Sequence, residues 1–491
     1  MITILTTTKF ENDLQKVIDS IPRLNELVTI TTNEDELEIG KKRLYVNERE
    51  IACYLDWFDT EPPYLFPTIA YSTDALLAMV YYKLGNEQRA FEHIDESNTL
   101  FFPLLVATKI KFGYELHSEV VAQLSGHNRA IVNHYGVLAD NQSFEEIKAL
   151  YESILQNEHD DEVQCYTAKH YANLLLDAQK FGGAAALCAK YLKKAPNKNS
   201  KMALRMLWAT AKTKGLQLPY NEMELLKIAT VQVKCIDFLQ EHGFDLNAAL
   251  LAMDAADVSN FLSDYPTAKA YINLAIKIFK EHDLNELLGE AGLKKATLLY
   301  NWSKNGSPQY YKASINAFQD TLKIFKRDSH PAQFAEVHHS LALIYSEIPA
   351  SPEEKPMWIA FSASSFKEAL TYFKEDEFPY EHAMVCHNYA TALIDFPPAK
   401  LHNNHEKAND MFHKALSIRT AKEYPTERAL TLLNHIELGW LMHNENEKME
   451  ETRLNQMKAQ AEEVLELVND VHLQEKAKEQ LNRLEALKEL I

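Results

Sequence analysis

The chain has 491 residues, 46% of them hydrophobic and 25% charged, and 51 basic against 70 acidic side chains give it a net charge of −19. That balance repels phosphate backbones and anionic lipid, so neither a nucleic-acid partner nor a membrane partner is expected. No apolar run approaches the roughly 20 residues that span a bilayer, and the five cysteines are too scattered for a disulfide framework or a zinc pattern.

At this length one compact core is exceeded and about three domains are expected, although stacked repeats can grow past that limit. Glycine is scarce at 13 residues, and Leu, Ala, Glu and Lys dominate, which favours helix. The first nine residues carry no basic n-region, so no secretory signal is expected, and a reducing cytoplasm is the simplest compartment. The short basic runs Lys41-Lys-Arg43 and Lys193-Lys194 read as solvated surface.

Residues 1–66 read as a small α/β cap. Ile2-Thr-Ile-Leu5 and Leu27-Val-Thr-Ile-Thr31 are β-branched and strand-like, and Glu11 to Ile21 between them is helical in pattern. Leu37 to Val46 alternates around Gly40-Lys41, which predicts a hairpin. The alternative is an irregular leader. Pro62-Pro63 and Pro67 mark the boundary.

Residues 67–283 read as helical hairpins. Leu76 to Leu84 and Gly85 to Ile94 give helix, turn and helix. The pattern returns at Asn133 to Leu138 with Asp140 to Phe144, Ile147 and Tyr151, and again at Tyr171-Ala172 to Leu176 with Ala184, Cys188 and Pro196. Another copy runs from Ala255-Ala256 to Phe261, then Tyr265, Ala268, Ile272 and Ala275.

Residues 284–445 carry the strongest signal. Phe318, Phe366 and Phe412 each precede a Leu by four residues, a Pro by thirteen and an Ala by seventeen, and the unit recurs after 48 and then 46 residues. Phe and Leu at i, i+4 share one helix face. The Pro ends that helix and opens the next, because it lacks an N–H and suits a first turn. The small Ala lets the next helix approach closely. One such pair cannot bury its apolar face alone, so neighbours must stack. Pro- and Gly-marked loops at Asn301–Pro308, Ile348–Pro356 and Phe396–Asn404 lengthen the units between the two helices of a pair. Residues 446–491 read as two polar helices, Met449 to Val468 and Val471 to Leu490, that cap the stack, with a coiled-coil dimer as the alternative.

These units resemble tetratricopeptide repeats. With Pro196 taken as position thirty-two, Ala172 falls at position eight, Leu175 at eleven and Ala184 at twenty, while Ala168 stands in place of the family's first Trp and Cys188 in place of its second aromatic. Over roughly residues 310–445 the chain also resembles the longer repeats found beside caspase-like (CHAT) peptidase domains in bacteria, through Lys414 to Arg419 followed by Pro425 and Asn434. The resemblance implies an all-α fold, a TPR-like helical-hairpin solenoid (a superhelix) behind the α/β cap. It implies that the first helix of each pair lines a concave groove. The sixth position of that helix, often Asn in peptide-binding members, falls on Asn388 and Asn434, and on Ser340 in the earlier unit. His339 and His387 stand one residue before Ser340 and Asn388. The five are expected as peptide contacts, since an Asn can clamp a main chain through paired donor and acceptor. The alternative is that Asn388 and Asn434 hold neighbouring helices together.

No Gly-rich phosphate loop, G-x-S-x-G, H-E-x-x-H or C-x-x-C is present. Cys386 and His387 are neighbours, which do not face each other on a helix. His402 and His405 have the closest ligand-like spacing, in a loop. No catalytic residue, metal or cofactor is therefore expected. The expected function is a non-enzymatic scaffold or adaptor binding a protein or peptide partner in the groove. The alternatives are a peptide- or ligand-sensing regulator controlling an effector such as a peptidase, and an enzyme acting through residues 1–66.

Overall fold

A computed structural model describes all residues except 38–41, 136–142, 218, 397–402, 443–445 and 491, and the side chains of 488–490. The chain forms two compact units, Met1–Glu281 and His282–Ile491. Each is built mainly from helical hairpins, so the all-α hairpin stack with a small α/β cap is the fold observed.

The first unit opens with five strands, β1 (Ile2–Thr6), β2 (Val28–Thr31), β3 (Lys42–Val46), β4 (Glu50–Cys53) and β5 (Ile69–Ala70), in the order β2-β1-β3-β4-β5. β1 runs parallel to both β2 and β3, whereas β4 is antiparallel to β3 and β5. Central and parallel, β1 is buried on both faces: Ile2 and Ile4 on one and Leu5 on the other. Leu14 and Ile18 of the helix Glu11–Asp19 complete that core with Leu44, Val46 and Ile51. The helix stops at Asp19 rather than at Ile21 because Pro22 follows, and a residue before proline avoids helical angles.

The predicted hairpin is corrected in register. Its Gly40-Lys41 turn lies outside the described residues, and Lys42–Val46 pairs instead with Glu50–Cys53, Leu44 facing Cys53. The reason is local chemistry at Asn47, whose side-chain oxygen accepts from the backbone N–H of Arg49 and of Glu50 and so closes the turn there.

Further along, the helix Thr73–Leu84 ends at Gly85, at φ +77°, where the N–H groups of Gly85 and Asn86 reach back to Tyr82 and Tyr81. Glycine supplies the left-handed angle that this helix end needs. Asn86 then caps the next helix by accepting from Arg89 N. Three longer hairpins follow: Asp161–Asp177 with Phe181–Tyr191, Lys198–Lys214 with Glu222–Glu241, and Asp245–Phe261 with Tyr265–Glu281. The first helix Lys198–Lys214 also packs on the first helices before and after it, Asp161–Asp177 and Asp245–Phe261.

In the second unit the first helices are Asn285–Lys304, Pro331–Glu347, Pro379–Asp395 and Pro425–Leu441. Their partners are Tyr310–Thr321, Lys355–Tyr372, Asn404–Ile418 and Glu447–Leu467, and Val471–Leu490 closes the series. Phe318, Phe366 and Phe412 are fully buried, as are Ala335, Ala383 and Ala429. The three prolines open their helices as predicted. Before each stands a residue with φ between −136° and −138°, whose N–H bonds four residues back, so one turn geometry is used three times. Ser314 and Ser362, each four residues before its Phe, donate from buried hydroxyls to the carbonyls of Ala296 and Ala342.

The loop predicted from Asn301 begins later, because Asn301 to Lys304 continue the preceding helix. Ser303 is buried there, and Tyr300 and Lys304 both bond Glu347 on the next first helix. Most of the Phe396–Asn404 loop lies outside the described residues.

Close helix approach is tightest at Gly289, where a Cβ would stand 2.6 Å from Cζ of Phe325. In an open helix Gly→Ala gains about 1 kcal/mol. Phe325 is 1% exposed and its ring has nowhere to go, so overpacking of about 1–3 kcal/mol outweighs that gain. Gly289→Ala is therefore expected to lower the urea midpoint. Gly439→Ala, which meets Sδ, Cγ and Cε of the unbranched, adaptable Met457 side chain, should change it less.

Candidate functional site

The predicted contact residues stand on three successive first helices of the second unit. Ser340, Asn388 and Asn434 each lie nine residues after the opening proline and are half-buried. Asn388 Nδ2 donates to Nε2 of His339, 2.8 Å away on the preceding first helix. Asn434 Nδ2 donates to Thr391 Oγ1 at 3.0 Å, and Thr391 donates in turn to the carbonyl of His387. The two asparagines thus tie first helix to first helix. An amide has two N–H donors and a carbonyl, so one bond leaves capacity in each for a further main-chain partner.

Both histidines are neutral at physiological pH. Burial pushes His339 down to about 4, and burial with the nearby Arg419 charge does the same for His387. His339 must then accept from Asn388 through Nε2 and carry its proton on Nδ1. Nδ1 of His387 is buried without a hydrogen-bond partner.

A second feature lies in the first unit. Helices Asp161–Asp177, Lys198–Lys214 and Asp245–Phe261 border a cavity of about 290 Å³, which Trp57 and Asp59 also line. Met206, Leu207, Thr210 and Lys214 face it from the middle helix, and Asn247, Leu250, Leu251 and Asp254 from the last. Both sets have the three- and four-residue spacing of a single helix face. Leu250 is 47% exposed. Thr210 Oγ1 donates to Asp254 at 2.9 Å, and the buried Lys169 ammonium is held by Asp59 at 2.5 Å. The lining mixes apolar side chains with a few fixed polar groups, the usual make-up of a binding pocket. Sequence reasoning passed over this site. Its signal was present in Leu246-Asn-Ala-Ala-Leu-Leu-Ala-Met253, which is apolar around most of the helix and so leaves part of that surface uncovered.

The chain also displays an asparagine clamp on itself. Residues 62–66, which turn at Pro63 where Tyr64 N–H bonds the Pro62 carbonyl, lie against the helix Gly126–His134. Asn128 Oδ1 accepts from the N–H of Leu65 and Asn128 Nδ2 donates to the Leu65 carbonyl, both at 2.8 Å. His127, one residue earlier, bonds the Pro63 carbonyl through Nε2 at 3.2 Å. His127-Asn128 is the same dipeptide as His387-Asn388.

All five cysteines are free, and burial pushes each thiol up to about 11 or 12, which removes the thiolate a nucleophile needs. Among the described residues no three His, Cys, Asp or Glu side chains converge as a metal site, and His402 lies outside them. Among the same residues no helix is long and apolar enough to cross a membrane.

No protein-family model matches the chain, and no curated protein matches it. Solved structures are similar in outline. The human IFIT1 dimer with m7Gppp-AAAA aligns at TM-score 0.43 and 13% identity, over 85% of this chain and 81% of that one. Yeast Tom70 aligns at 0.37 and 13%, over 85% and 89%. A signal-transduction ATPase with a tetratricopeptide repeat sensor from Pyrococcus horikoshii aligns at 0.35 and 12%, over 83% and 54%.

Proposed function

We propose that the protein is a non-enzymatic scaffold that holds a protein or peptide partner against its first helices. The observation that carries this reading is the clamp of Asn128 on Leu65, in which an Asn of a first-unit helix holds one non-helical residue's N–H and carbonyl through both halves of its amide. In the second unit His387-Asn388 and Asn434 offer the same groups to a main chain; in the first unit the cavity beside Leu250 is a separate anchor point for an apolar side chain. The cavity is also near the lower size of a small-ligand pocket, which favours as second reading a regulator that senses a short peptide.

Affinity purification with mass spectrometry tests the proposal. Wild-type chain, Asn388→Ala/Asn434→Ala and Leu250→Arg are compared for the same recovered partner. Loss of one contact patch costs about 2 kcal/mol or more at a hot spot, so recovery should fall by more than tenfold in at least one variant. Equal recovery by all three would exclude both surfaces.

A further inference from the structure

This acidic chain gathers a local excess of positive charge in its first unit. A cavity of about 40 Å³ in the first unit is lined by Lys42, Arg43, Asp56, Glu61, Lys83 and Asn199 among others. Lys42 and Arg43, expected as solvated surface, are half-buried there. Glu61 is the hub. Lys83 donates to its carboxylate, and the ammonium groups of Lys111 and Lys42 stand 3.5 Å and 4.0 Å from it. The side chains of Glu61 and Lys83 are both 6% exposed. Asp56 is already occupied by the N–H groups of Phe58 and Glu61 and by the Thr60 hydroxyl.

Three lysines and an arginine therefore face two carboxylates. Lys42 and Lys111 also donate to the carbonyls of Lys83 and Tyr82 at the end of the helix Thr73–Leu84. That helix end is worth about half a negative charge, so more than one positive charge is left over. Arg43 lies over the Tyr54 ring at 4.8 Å, which does not neutralise it. Part of that charge is solvated, since the Lys42 side chain is 33% exposed and Arg43 is half-buried, and an anion in the cavity would pair the remainder. The cavity exceeds the roughly 10–15 Å³ that one water needs.

A second observation says which anion. Asn199 Oδ1, on the cavity wall, is buried with no hydrogen-bond donor. Cations alone would admit any small anion; an unpartnered acceptor among them asks for one that also carries a proton. We propose that this cavity binds hydrogen phosphate, with Lys42, Arg43 and Lys83 taking its charge and Asn199 Oδ1 accepting from its P–O–H.

Sulfate has the same shape and charge and no proton to give, which makes it the discriminating control. Calorimetric melts of the full chain near neutral pH are compared in phosphate, sulfate and chloride at equal ionic strength. Phosphate should raise the melting temperature with concentration, sulfate should bind several-fold more weakly, and chloride should do neither. By titration calorimetry Arg43→Met should weaken phosphate binding by about tenfold, and Arg43→Lys, which keeps the charge, should recover part of it. No phosphate-specific shift up to tens of millimolar in the wild-type chain would overturn the proposal, and so would equal affinity for sulfate.

Discussion

Phe366→Ala is expected to destabilise the second unit by about 3–5 kcal/mol, the range for an emptied aromatic core site. Phe366 is fully buried, stacks on Tyr389 with ring centroids 4.7 Å apart, and lies 6.2 Å from the His339 ring. These three residues sit on three different helices, Pro331–Glu347, Lys355–Tyr372 and Pro379–Asp395. The cavity would therefore open where one hairpin meets the next, and the backbones could not close it without losing the packing of both. For a unit of this size roughly 2–4 °C is lost per kcal/mol, so the melting temperature should fall by about 10 °C. Phe361→Ala is the control: that ring, on the same helix, is 46% exposed, and its loss should be close to neutral. Equal melting of Phe366→Ala and wild type would contradict the stacking.

Acidification is expected to unfold the second unit well before its carboxylates titrate. His339, His387 and His435 are each pushed to about 4, burial being the main cause, while the unfolded chain titrates near the ordinary value. Between those values the unfolded state binds more protons, so stability rises with pH. The contribution is complete above about pH 6.5 and is lost as pH falls towards 4. At pH 5 each histidine costs about 2 kcal/mol, so the three together approach the total stability of a typical domain. His435 shows why: its Nε2 donates to Asn409 Oδ1 at 2.8 Å and its Nδ1 accepts from Gln460 at 2.9 Å, an arrangement only the neutral ring can make. Melts from about pH 7.5 down to about pH 5 should show a steep fall, and His435→Gln should flatten it by about one third. A slope unchanged in that variant would remove His435 from the account.

The repeat was legible because its physics is local. Phe318, Phe366 and Phe412 announce a buried helix face through spacing alone, and Pro331, Pro379 and Pro425 announce a helix start through a missing N–H. Each of these expectations holds residue by residue. Legibility failed where two choices were locally equivalent. Lys42–Val46 could form a hairpin with the residues before it or after it, and the side chain of Asn47 decided for the residues after. It also failed for Lys42 and Arg43, because a basic run looks the same in sequence whether water or Glu61 lies beside it.

The sites divide in the same way. Asn388 and Asn434 could be named from their place in the helix, but their partners could not, since His339 and Thr391 lie 49 and 43 residues away. The clamp of Asn128 on Leu65 spans 63 residues and has no sequence signature. By itself the sequence determined that the chain is helical hairpins in series, that Phe318, Phe366 and Phe412 face the core, and that helices begin at Pro331, Pro379 and Pro425. Tertiary structure alone decided that Trp57 and Asp59 line a cavity with Lys169 and Leu250, and that Lys42, Glu61, Lys83 and Lys111 share one cluster. The reason is that helical periodicity constrains neighbours three and four residues apart, whereas a polar side chain takes whichever partner the folded backbone brings within about 3 Å.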